Sequence, residues 1–267
     1  MTAVLRVARE SSQLARRNLL RLVRTPTSLV SSLLEPVMFA LLIGFVFGNS
    51  LGGGIYREYI VAGLLAQTVV FTTSFTTIGL SRDLEEGAVD RFRALPISRV
   101  SILLARTCSD MIVCVASVCV TTLSGLALGW RAHTGVLHTA AGFLLLLLFA
   151  FAMSWVGAFI GVIAPNVQVA LSLGFIWMFP AAYISSGYVA ARSLPGPLAH
   201  IAEWSPITAL VNALRQQFGN PVPRQFPVPR GWPVEHAVPY LLLWSAVLLT
   251  VFVSWATYAY RNKSKSR

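Results

Sequence analysis

Residues 81–99 read SRDLEEGAVDRFRALPISR and carry eight formal charges, in a 267-residue chain that has only 21 basic and 10 acidic side chains in all. This block must meet water. A helix rises about 1.5 Å per residue, so about 20 apolar residues cross a hydrocarbon core. Runs of that length lie on both sides of the block. Six stretches qualify: 29–47, 59–80, 100–128, 137–163, 167–188 and 238–260. The charged segment is therefore a short exposed piece between the second and third spans.

Composition agrees. Hydrophobic residues make up 55% of the chain and charged residues 12%, with a mean hydropathy of +0.68, whereas soluble domains carry about 25% charged residues. The net charge of +11 is spread by position along the chain and not gathered on one face, which argues against nucleic-acid binding. The basic side chains set the orientation. Fifteen fall in 1–25, 82–106 and 261–267, against six at Arg57, Arg131, Arg192, Arg215, Arg224 and Arg230. By the positive-inside rule both termini and the charged block are cytoplasmic.

The expected fold is an all-α integral membrane protein, one transmembrane domain over 1–267 with six transmembrane helices. In the first 24 residues all six arginines fall within an arc of about 140° of a helix, which predicts an N-terminal interfacial helix over 1–25 on the inner leaflet. No small-residue cleavage site follows it, so a removed signal peptide is not expected. An extracytoplasmic region, 189–237, separates the fifth and sixth spans. Its prolines forbid continuous helix in the later part, while 198–218 is amphipathic enough for short re-entrant helices with Trp204 at headgroup depth.

Within the block, Leu84, Ala88, Phe92 and Leu95 recur at helical spacing. Asp83 is a candidate N-cap, with Glu86 three residues on and Pro96 as the stop. One face is apolar; the other presents Asp83, Glu86, Asp90, Arg91 and Arg93. A simple connection needs about 2–8 residues, so 82–98 reads as a docking element.

Charges inside a bilayer cost about 2.5–3.5 kcal/mol each even on lenient scales and need a reason. Asp110 has Arg106 one turn earlier, which suits structural pairing. Glu35, before Pro36, has no local partner; it either pairs with an arginine of the interfacial helix or the block, or faces a polar cavity. The second span carries Gln67, Thr68, Thr72, Thr73, Thr76 and Thr77 with Phe71 and Phe75 beside them. Such hydroxyls pack against a neighbouring helix or line a path for an amphipathic solute; Gln67, Phe71, Thr72, Phe75 and Thr76 are the candidate path.

Chemistry of other kinds is missing. Cys108, Cys114 and Cys119 share one apolar run, and the four histidines lack metal-ligand spacing. The only lysines are Lys263 and Lys265, so no P-loop can be built, and neither H-E-x-x-H nor G-x-S-x-G occurs. No catalytic residue or bound cofactor is expected. Energy for any work must come from another chain.

Two stretches resemble the permease subunits of type-2 ABC exporters, especially the daunorubicin/doxorubicin-resistance branch. Glu85-Glu86-Gly87 with Arg91-Phe92-Arg93-Ala94-Leu95-Pro96-Ile97-Ser98-Arg99 is similar to that family's cytoplasmic coupling segment. Ser185-Ser186-Gly187, Leu194-Pro195, Ile201-Ala202, Ser205-Pro206-Ile207-Thr208 and Ala213-Leu214-Arg215 are similar to its stretch after the fifth span. The chain departs from the family's aliphatic-rich pattern at Tyr183 and Tyr188. The resemblance implies a cell-membrane permease working with a second permease subunit, identical or different, and with separate ABC ATPase subunits that hold ATP and Mg. Their clefts would grip Arg82, Asp83, Glu85, Glu86, Gly87, Asp90, Arg91, Phe92, Arg93, Leu95 and Pro96. It also implies export of hydrophobic drugs, lipids or glycans, and the expected cargo is a hydrophobic or amphipathic drug or antibiotic. The rivals are export of a cell-envelope lipid or polysaccharide, and an ion-coupled secondary transporter, which would need partnered midplane acids, often in repeated halves. The sequence offers neither.

Overall fold

The computed structural model describes residues 26–47, 53–87, 99–227 and 231–263. The expected interfacial helix over 1–25 lies outside these described residues, as does the 88–98 part of the charged block with Asp90, Arg91, Phe92, Arg93, Leu95 and Pro96.

Nine α-helices lie among the described residues: α1 Pro26–Leu41, continued by a π-helical turn Leu42–Phe47, α2 Gly54–Glu85, α3 Arg99–Ala127, α4 Val136–Ile163, α5 Val167–Tyr183, α6 Gly196–Glu203, α7 Pro206–Phe218, α8 Trp232–Glu235 and α9 Ala237–Lys263. Several boundaries are written locally. The Asn166 side chain accepts from the Val169 N–H at 2.8 Å to cap α5. Ser205 does the same for α7 toward Ile207 at 3.2 Å, Pro206 takes the first position, and Gly219 closes the helix at φ +67°. These are the side-chain oxygen, proline and glycine signals expected at helix ends.

Four helices, α2, α3 from Val100, α4 and α9, are long and apolar enough to cross a membrane, while Leu33–Gly44 and α5 are shorter apolar helices. Six crossings therefore remain an expectation met in four. The fifth stretch is helical only over Val167–Tyr183, and Ser185 and Ser186 are buried in the turn that follows.

The long helices differ sharply in burial. α2 has the lowest mean hydropathy of the four, 1.4, and its apolar window is 89% buried; α9, at 2.0, is 28% buried. The helix richest in hydroxyls is enclosed by protein, because lipid offers those groups no partner. α4 packs tightly against both α2 and α9, α4 and α9 each meet α7, and α3 and α5 cover the rest of α2. Exposed apolar side chains on the outer helices, such as Leu144, Ile176 and Leu243, form the surface that suits lipid.

Contacts define two ends. At one, the Glu85 carboxylate accepts from the Val167 N–H at 2.7 Å, and Lys263 at the end of α9 donates to the carbonyl of Val162, at 2.7 Å, and to that of Ala164. At the other, the start of α2, the 128–135 turn and the 184–236 region meet: His133 N–H donates to the Phe218 carbonyl at 2.8 Å, and Tyr240 Oη to the Trp204 carbonyl at 2.8 Å. The described start of the charged block, 82–87, and the end of α9 thus share one end.

The block corrects an expectation. Asp83 is not an N-cap, since α2 runs on without a break through Glu85 and ends in a turn in which Glu86 N–H donates to the Arg82 carbonyl at 2.9 Å. Gly87 then takes φ +69°, a conformation that favours glycine. The helical spacing counted from Leu84 begins inside a helix that has already crossed the bundle, and Leu84 is buried.

Glycine permits the closest approaches. A Cβ at Gly63 would lie 2.2 Å from the Gly187 carbonyl oxygen, and one at Gly157 2.6 Å from the Thr73 carbonyl oxygen. Close backbone contact of this kind suits helices in a membrane. Gly63→Ala is expected to lower stability by about 1–3 kcal/mol, the usual cost of overpacking. Gly174→Ala, whose Cβ would meet only Met178 Sδ at 3.7 Å, should melt like the parent. Thermal unfolding in one detergent compares them; equal melting of both variants would contradict the contact.

Candidate functional site

At the charged end, α2 and α3 are tied by an ion cluster. Arg106 Nε donates to Asp110 Oδ2 at 2.9 Å, its Nη1 lies 3.6 Å from Asp83 Oδ2, and its Nη2 donates to the Phe75 carbonyl at 3.2 Å. The pairing of Arg106 with Asp110 follows from their spacing on α3. The reach across to Asp83 and Phe75 does not. It depends on Gly79, where a Cβ would fall 1.8 Å from Arg106 Nη2: the guanidinium lies in the space a side chain would fill. Arg82, Glu85 and Glu86 are exposed beside this cluster, so the polar end of α2 is anchored on one side and accessible on the other.

Midway along the bundle, Glu35, Pro36 and Phe39 of α1 face Leu64, Gln67, Thr68, Phe71, Thr72 and Phe75 of α2 across a narrow groove with about 10 Å³ of free space. Of the path residues chosen from sequence, Gln67, Phe71, Thr72 and Phe75 come together here, and Glu35, set apart as an unpartnered acid, joins them. Gln67 Oε1 is buried without a hydrogen bond. Thr76 departs from the group. It lines a second cavity, also about 10 Å³, with Thr72, Thr73, Asp110 and Ser154.

Other hydroxyls serve packing. Thr68 donates to the Leu64 carbonyl at 2.9 Å and meets Thr121 of α3 at 2.9 Å, and Thr77 Oγ1 lies 3.2 Å from the Thr73 carbonyl and 3.1 Å from that of Gly157 on α4. The row of threonines is thus divided between helix contacts and cavity walls.

The opposite end is held by Arg215, which the charge tally counted as an external cation. It is 7% exposed. Nε and Nη2 both donate to the Tyr59 carbonyl at 3.3 Å, Nη2 donates to that of Gly187 at 3.0 Å, and the guanidinium carbon sits 3.5 Å over the Tyr59 ring. It joins α7, α2 and the turn after α5. Removing Arg106 and Arg215 from the tally leaves its imbalance in place. His133 Nε2 lies 2.7 Å from Glu58 Oε2, and among the described residues no group of three His, Cys, Asp or Glu side chains is placed to hold a metal.

Arg106→Met strands Asp110, which is 6% exposed. The expected loss is about 3–5 kcal/mol, and Arg106→Met with Asp110→Leu should recover most of it, since replacing a whole buried pair costs far less than breaking one. Unfolding curves of the three proteins in one detergent measure this; equal stability of the single and double variants would contradict it.

The family described as ABC-2 type transporter matches residues 9–218. Over 241 residues the chain is 28% identical to the daunorubicin resistance ABC transporter permease protein DrrB1 of Streptomyces coeruleorubidus, covering 90% of this chain and 81% of that protein. It is 22% identical over 254 residues to a probable doxorubicin resistance ABC transporter permease protein DrrC of Mycobacterium tuberculosis, in each of two strains, covering 93% of this chain and 87% of that protein. The match spans α1 to α7, including the groove and both anchored ends. The chain is a multi-pass membrane permease that belongs to the ABC-2 type transporter family.

Proposed function

We propose that the chain is the membrane subunit of an ATP-driven exporter that moves hydrophobic and amphipathic drugs or antibiotics out of the cell. Segment 82–98 is the element gripped by separate ABC ATPase subunits, both termini are cytoplasmic, the bundle crosses the membrane six times, and a second permease subunit completes the path.

One observation carries the reading: the helix whose end bears Arg82, Asp83, Glu85 and Glu86 also supplies Gln67, Phe71, Thr72 and Phe75 to the groove. Movement at that end reaches the groove through a continuous helix. The groove's free space of about 10 Å³ is near the minimum for one water. Transport through it therefore requires α1 and α2 to separate. The drug-resistance names of the relatives support the choice of solute, and the Phe rings beside an amide and a carboxylate suit a molecule that is part apolar and part polar.

Co-purification with a candidate ABC ATPase tests the coupling element. Glu86→Ala and Arg91→Ala should each reduce ATPase stimulation and drug export about tenfold, the order expected for one charge-assisted contact. Unchanged stimulation and unchanged drug accumulation in both variants would reject it.

A further inference from the structure

At the end opposite the charged block a cavity of about 160 Å³ opens between the turn after α5, α6, α7 and α8. It is far roomier than the groove, and comparable to cavities that admit a benzene-sized guest. Three segments distant in sequence build it, and the transport reading does not use it.

Its floor is polar and buried: Ser186, Thr208 and Asn212 are 4%, 2% and 6% exposed. Ser186 N–H donates to Thr208 Oγ1 at 3.0 Å, and Ser186 Oγ to Asn212 Oδ1 at 3.4 Å. With those acceptors engaged, the Asn212 amide nitrogen makes no hydrogen bond among the described residues. The Thr208 hydroxyl likewise keeps its own hydrogen to give. Hydrogen-bond donors left over in a buried floor favour an oxyanion.

The rim adds an opposite demand. Arg192 Nε donates to Glu203 Oε1 at 2.8 Å, so the mouth holds a fixed pair of opposite charges. Trp204 and Trp232 form an aromatic wall. Both meet Tyr240 edge-on, at 6.0 and 5.7 Å, and Trp232 stacks on His236 at 5.3 Å. Indole faces beside a carboxylate favour a cation. A simple anion would meet Glu203, and a simple cation would leave the floor unused. Leu198 and Ile201, 37% and 61% exposed, extend an apolar strip along α6 from Trp204, where hydrocarbon chains can lie.

We infer that this cavity binds the headgroup of a zwitterionic phospholipid from the adjoining leaflet. The phosphate faces Asn212 and Thr208, the ammonium faces Glu203 and the indoles, and the acyl chains follow Leu198 and Ile201. The inference goes beyond the exporter reading and is independent of which solute crosses the membrane.

Native mass spectrometry of the full-length chain in detergent tests it, with short-chain phosphatidylcholine, phosphatidylglycerol and an alkyl glucoside as probes. Phosphatidylcholine is expected to occupy one saturable site about tenfold more tightly than either rival. Trp232→Ala and Glu203→Gln, both at solvent-accessible positions, should each weaken it about tenfold. Asn212→Leu, with melting checked in parallel, should weaken phosphatidylcholine and phosphatidylglycerol alike. Equal binding of all three probes, or phosphatidylcholine binding unchanged by Trp232→Ala, overturns the assignment. So does preference for the glucoside, which would mark a sugar site, or for phosphatidylglycerol, which would mark a plain anion site.

Discussion

Lipid supplies no hydrogen-bond partner, so a helix carrying Gln67 and a row of threonines can lie within a bilayer only if other protein surrounds it. That demand on α2 organises the bundle. α4 approaches it through Gly157 and Gly161 closely enough for Thr77 Oγ1 to lie 3.1 Å from the Gly157 carbonyl oxygen. α3 meets it with Thr121 and Arg106, and α5 covers a further side. α3 and α9 are left largely to the outside, and α4 is over half buried. α2, the least apolar of the four long helices, is thus the most buried, as expected where the surrounding solvent is itself apolar.

An enclosed helix with both ends anchored transmits displacement better than a free one. At the charged end the guanidinium of Arg106 bridges α2 and α3, and Glu85 joins α2 to the first turn of α5. At the far end Arg215 clamps the Tyr59 and Gly187 carbonyls, and Gly63 lets the Gly187 backbone lie directly on α2. On the proposed reading, a push delivered at Glu85 and Glu86 has few ways to dissipate before it reaches Phe71 and Phe75. The groove against α1 is where it can act, because α1 makes fewer contacts with α2 than α3, α4 or α5 does.

Much of this was legible in the residues. Long apolar runs announce spans directly, charge density singled out the block, and the four-residue spacing of Arg106 and Asp110 gave their pairing. Other features depend on tertiary contact and have no local signal. Asp83 resembles an N-cap because the sequence does not show that α2 is already under way. Arg215 reads only as one more external cation because its partners are backbone carbonyls of Tyr59 and Gly187, which composition cannot distinguish from any others. Gly79 looks like an incidental small residue until Arg106 is placed across it. The cavity between Trp204 and Trp232 draws its floor from Ser186 and Asn212, and no periodicity links those positions.

The account depends above all on the polar end of α2 facing the compartment that holds ATP. Single cysteines at Glu86→Cys and Ile201→Cys, in a background with Cys108, Cys114 and Cys119 replaced by serine, can be probed with a membrane-impermeant maleimide. Intact cells should label position 201 and leave position 86 unmodified until the membrane is permeabilised. Labelling of position 86 from outside, with position 201 protected, would contradict the account.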